Sequence, residues 1–191
     1  MASAARKSSA QRPSAQRLSA QTLSLSERQL VAAWAADCAE RVLHLFEAEA
    51  PDDDRPRDAI ARARAFSRGE LTAVDEIRRR FEAGRAASAV TGRAAVASAR
   101  SAAQAAGVSH MGAHALGAAA YAAKAAGLAV HDGEAAFATE IAWQLAHASD
   151  PVRVALRRLP PLGTDSAGPL GAGLLASGEL GAAIRMLQAR L

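Results

Sequence analysis

The side chains best placed for chemistry lie in the string His110-Met111-Gly112-Ala113-His114 and in Tyr121 and Lys124 beyond it. On a helical wheel with His110 at zero, His114 falls at about 40°, Gly117 at about −20°, Tyr121 at about 20° and Lys124 at about −40°. The polar groups form one narrow stripe on a segment otherwise made of Ala, Gly, Met and Leu. A helix apolar almost all round belongs at the centre of a bundle. A polar stripe on it must find partners or water, because an unmatched buried polar group costs about 1–3 kcal/mol. Three readings compete. The stripe hydrogen-bonds to neighbouring helices and has a structural role only; it lines a groove that meets a ligand or partner; or His110 and His114, at i and i+4, hold a metal. A zinc-protease helix would need Glu after the first His, where Met111 stands, and a di-metal bundle would need several inward Glu residues, of which only Glu140 offers itself. No metal and no cofactor is therefore expected.

Other charged strings read more simply. Asp52-Asp53-Asp54 caps a helix that starts at Arg55-Pro56-Arg57, or offers a negative patch to a basic partner. The arginines there can pair with these carboxylates or with Asp58. Arg78-Arg79-Arg80 points in three directions around a helix, with Glu76 and Glu82 close by, and reads as a solvated face. Cys38 lies on an apolar helix side and reads as a small core residue. No Gly-rich phosphate loop, Ser-His-Asp arrangement or cysteine cluster occurs, so no enzyme is expected.

These groups need helices to position them. Ser26 with Gln29 fits a capping box, followed by Leu30, Trp34, Cys38, Val42 and Leu45 at helical spacing, with Asp37, Arg41, His44 and Glu47 opposite. The second helix runs to about Arg68 and stops at Gly69. Thr72 with Asp75 caps a third, with Val74, Ile77 and Phe81 inward. Residues 92–106 form a fourth, ending at Gly107. Ser109 caps the stripe helix, which ends at Gly127. Asp132 caps another helix, carrying Phe137, Ile141, Trp143 and Leu145. A short helix starts at Asp150-Pro151. Pro and Gly at 160–173 break the pattern, and Leu175, Leu180, Ile184, Leu187 and Leu191 line one side of a last helix.

Composition agrees. Half of the 191 residues are hydrophobic, mostly Ala, while aromatics are 4%. Ala is the best helix former, and strands want β-branched and aromatic residues. The expected fold is all-α, a compact Ala-rich bundle of about six helices with an extra C-terminal helix. The formal charge of +4 sits in residues 1–25, which hold Arg6, Lys7, Arg12 and Arg17 and no acid; the rest balances 19 basic against 19 acidic side chains. The basicity thus belongs to a tail expected to be disordered. Nucleic-acid binding is expected only through that tail, although its composition also resembles a mitochondrial transit peptide. No membrane span and no secretory signal is read, and the expected address is cytoplasmic. The expected organisation is a tail over 1–25, a helical domain over 26–158, a linker over 159–173 and a helix over 174–191.

Several strings, in order, carry a resemblance: Trp34-Ala35-Ala36-Asp37-Cys38-Ala39-Glu40, then Asp53-Asp54-Arg55-Pro56-Arg57-Asp58-Ala59-Ile60 with Ala65-Phe66 and Gly69, then His110–Ala126, then Glu140-Ile141-Ala142-Trp143-Gln144-Leu145. Together, over about residues 26–150, they resemble the immunity-five-like family of bacterial polymorphic toxin systems. The resemblance implies an all-α domain that binds and neutralises a cognate toxin. Asp37, Asp54, Arg55, Arg57, His110, His114 and Tyr121 match its pattern. The expected function is non-enzymatic toxin neutralisation by occlusion; the alternative is a small-ligand or metal-binding bundle using His110, His114 and Tyr121. Candidate contacts are Asp37, Asp53, Asp54, Arg55, Arg57, His110, His114, Tyr121 and Lys124.

Overall fold

The computed structural model describes residues 19–74 and 82–191. The helices are α1 (Leu25–Glu47), α2 (Arg55–Ser67), α3 (Glu82–Ala86), α4 (Arg93–Gly107), α5 (His114–Leu128), α6 (Gly133–Ala146), α7 (Asp150–Arg157) and α8 (Gly178–Arg190), with a 3-10 turn at Leu174–Ala176 before α8. Among the described residues there is no strand, only an isolated bridge between Asp165 and Gly171. No described helix is long and apolar enough to cross a membrane. Residues 1–18 of the basic tail lie outside the described residues, as do Asp75, Ile77, Arg78, Arg79, Arg80 and Phe81.

The centre is α5, packed by α1, α4, α6 and α8. Its Ala115, Leu116, Ala118, Ala119, Ala120, Ala122 and Ala123 are fully buried. Methyl-sized side chains let neighbouring axes approach toward the short end of the usual 8–10 Å. Backbone carbonyls then come within reach of small hydroxyls: Ser101 donates to the Ala118 carbonyl at 2.8 Å, and Ser98 to that of Val42 at 2.7 Å. Larger side chains fill the remaining space, among them Phe66, Ile141, Leu156, Leu170, Ile184 and Leu187.

Local signals start and stop the helices, with some displacement from expectation. The capping box of α1 uses Ser24 and Glu27, two residues before Ser26; Leu30 faces outward and Val31 takes the core position. Pro56 sits in the first turn of α2, and Gly69 follows its end with φ of +76°. Asp132 caps α6 by accepting from the Ala135 N–H. Val74, expected inside, is exposed. Cys38 is fully buried, and burial pushes its thiol well above the usual range, as a core residue requires.

Residues 19–24 were expected in the tail but are folded onto the bundle. Gln21 is buried, and its Nε2 donates to Asp165 Oδ2 at 2.6 Å and to the Ala167 carbonyl at 2.8 Å; its Oε1 accepts from the Leu170 N–H at 2.9 Å. The C-terminal helix α8 docks through Leu180, Ala183, Ile184 and Leu187.

Candidate functional site

The expected helix from 109 to 127 begins only at His114. Ser109 does not cap it; its hydroxyl donates back to the Ala106 carbonyl. The chain turns through 107–113 because the N–H groups of Gly112 and Ala113 donate to the carbonyls of Thr22 and Gln21, both at 3.0 Å. Gly112 permits that approach, since a Cβ there would stand 2.5 Å from Leu23 Cδ1. His110 therefore lies in a turn rather than on the helix. The turn still brings it to His114, with ring centroids 5.0 Å apart and planes tilted by 55°.

His114, Gly117, Tyr121 and Lys124 keep the wheel's geometry and floor a row of clefts along α5. The first, of about 440 Å³, includes Gln104, His110, Met111, His114, Tyr121 and Leu175 in its walls. Its roof comes from the Pro/Gly segment near residues 168–175. His114 Nδ1 donates to Gln104 Oε1 at 2.7 Å, leaving Nε2 as an acceptor. Its ring lies against Gly107, where a Cβ would be 2.9 Å from the imidazole Cγ. At Gly117 a Cβ would overlap Gln104 Oε1, so a glycine is what lets Gln104 reach the ring. Burial, and secondarily the charge of His110, push the His114 pKa down to about 4. The ring is neutral at neutral pH. Among the described residues no three His, Cys, Asp or Glu side chains come together as a metal site would need.

Tyr121 is buried, with the Arg100 guanidinium 5.9 Å from its ring centre. Lys124 pairs with Glu179 of α8 at 3.0 Å.

The second group of candidates gathers at the other end of α1 and is charged rather than cleft-forming. Asp53 does the work expected of a cap, accepting from the Arg55 backbone N–H and holding the Arg55 side chain at 2.5 and 2.7 Å. That pairing lowers the Asp53 pKa. Asp54 occupies the cap position with helical dihedrals and makes no side-chain capping bond, so its expected capping role is corrected. Arg57 pairs with Glu47 rather than with the triple-Asp turn. Asp37 and Glu40 share Arg64, which holds Glu40 below its ordinary range.

Spacing along the chain did not reveal a third arrangement. Glu140, considered above as an inward metal ligand, is buried and held by Arg41 Nε at 2.9 and 3.1 Å. Gln144, one turn on, donates to Glu140 at 3.2 Å and to the Ala119 carbonyl at 3.0 Å. The Trp34 indole N–H donates to the Gln144 carbonyl at 2.9 Å. Arg41 stacks 3.9 Å from the Trp143 ring centre, and Trp143 stacks on His147. The Glu140–Gln144 spacing on an apolar helix was the available hint.

The strings Trp34–Glu40 and Glu140–Leu145, distant in sequence, thus meet through hydrogen bonds of their own or adjacent residues. No curated protein and no solved structure matches the chain. The family described as Imm-5 like putative immunity protein matches residues 21–151, which carry α1 to α6 and every site residue above except Glu179 and the C-terminal cleft roof. The chain belongs to that family.

Proposed function

We propose that this chain is a non-enzymatic immunity protein that neutralises a cognate toxin by covering the toxin's working surface. The family match over residues 21–151 carries the reading. The surface of α1, the following turn and the start of α2 is its candidate contact. Residues 37–58 hold eight carboxylates against three arginines. Within them Asp37, Asp53, Arg55 and Arg57 are pre-oriented by ion pairs, while Asp54 projects into solvent. A net negative edge steers a basic partner and raises its association rate. Charges already fixed by neighbours lose less freedom on binding than mobile ones. An effective block would bury about 1,200–2,000 Å² in total, and cytoplasmic residence would place the protein where an incoming toxin acts. Co-expression with the toxin encoded by the neighbouring reading frame tests this: cells survive with the intact protein, and unchanged toxicity overturns it.

The 440 Å³ cleft favours a second reading, in which the His110, His114 and Tyr121 stripe takes a small ligand. With Nδ1 bonded to Gln104, the Nε2 of His114 is an acceptor and suits a ligand with an N–H or O–H donor. Zn²⁺ titration followed through the imidazole NMR signals tests the metal version, and unmoved signals remove it.

A further inference from the structure

The second cleft along α5 shares only Tyr121 with the first and carries a charge that neither reading uses. It lies between α4 and α5 and has a volume of about 170 Å³. Arg93, Val96, Ala97 and Arg100 of α4 stand at i, i+3, i+4 and i+7, which is one face of a helix. Tyr121, Lys124 and Leu128 of α5 stand at i, i+3 and i+7 and face them. Two arginines and a lysine therefore converge on a space floored by Val96, Ala97, Leu128 and the Tyr121 ring.

The cations there outnumber the carboxylates paired with them. Arg41, Arg55, Arg57, Arg62, Arg64, Arg68 and Arg158 each have a carboxylate partner. Among the described residues Arg93 and Arg100 have none, and both are exposed. The one carboxylate paired to the group is Glu179, on Lys124. Three cations against one anion leave a surplus of two positive charges. A phosphate ester carries about 1.5–2 negative charges and three strong acceptor oxygens; a carboxylate carries one charge and two oxygens. Guanidinium forks bind phosphate oxygens in pairs, and an ammonium adds a point charge. The apolar floor leaves room for an organic part beside the phosphate.

We infer that the cleft bounded by Arg93, Arg100, Tyr121 and Lys124 is a binding site for a small phosphate ester or diphosphate. The inference is independent of toxin binding, because the site uses none of the residues of the α1–α2 edge.

Isothermal titration of the full chain with phenyl phosphate and with pyrophosphate tests it, with benzoate as the singly charged control. Both phosphates bind with dissociation constants below 1 mM, at least tenfold tighter than benzoate. Arg93→Ala and Arg100→Ala each weaken binding at least tenfold, and the double variant about a hundredfold. Arg190→Ala, which removes an exposed arginine outside the cleft, leaves binding unchanged. Arg93 and Arg100 are exposed, so their variants unfold at the wild-type temperature in the absence of ligand, and lost binding is not lost folding. No heat from either phosphate, equal affinity for benzoate, or an equal loss in Arg190→Ala would overturn the assignment.

Discussion

The α1–α2 edge and the α5 stripe handle polar groups in opposite ways. At the edge, charged side chains keep between 18 and 61% of their surface in solvent and neutralise one another: Asp53 with Arg55, Arg57 with Glu47, Asp37 and Glu40 with Arg64. Along α5 polar side chains are matched singly: His114, within the Ala-packed interior, by Gln104, and Lys124, at the partly exposed end of the stripe, by Glu179. Solvent screens the first set, so each pair there contributes little to stability. His114 lies where the surroundings are less polarisable, so misplacing it is costly. The edge can change without loss of the fold, whereas the stripe is bound to the packing around it.

Substitutions sharpen this contrast. The largest effect is expected where a charge is both buried and paired: Arg41→Ala strands the Glu140 carboxylate and costs about 3 kcal/mol in urea unfolding. A loss under 1 kcal/mol would mean that Gln144 alone satisfies Glu140. Acid comes next. The His114 ring takes up a proton near pH 6.5 when unfolded but near 4 when folded. The unfolded state therefore binds more protons between these values, and stability falls as pH drops from 6.5 through 4. The contribution approaches about 3 kcal/mol below pH 4. His114→Gln, which keeps a polar amide, should remove that part of the slope, and an unaltered slope would refute the burial. Gly107→Ala should cost about 1–3 kcal/mol by pressing on the imidazole, and a double-mutant cycle with His114→Ala should recover most of it. Smallest is Asp53→Asn at the edge, expected to cost less than about 1 kcal/mol and to lose even that in high salt.

The sequence made legible what local chemistry decides. Pro56 near the start of α2, Gly69 after it and Asp132 before α6 mark boundaries through their own dihedrals or hydrogen bonds. The stripe of His114, Tyr121 and Lys124 was readable because α5 is regular there. His110 was misplaced on that helix because its turn is fixed by carbonyls of Gln21 and Thr22, about ninety positions earlier. Leu30 was assigned inward because Ala on several faces of α1 makes the wheel ambiguous, and the helix starts one residue before Ser26. Glu140 could be seen as unusual, but its partner Arg41 lies 99 residues away. The Arg93–Arg100 face was unmarked, since its meaning depends on which helix lies opposite.

The Gln21 amide is gripped by Asp165, Ala167 and Leu170, some 144 to 149 positions downstream. During synthesis the backbone of this segment can meet the Gly112 and Ala113 amides as soon as the α4–α5 turn has formed. The Gln21 side chain must wait some fifty residues more for Asp165, Ala167 and Leu170. The roof of the first cleft is thus added after its floor, and a chain cut before Asp165 would keep the backbone seam but leave the Gln21 amide without these partners.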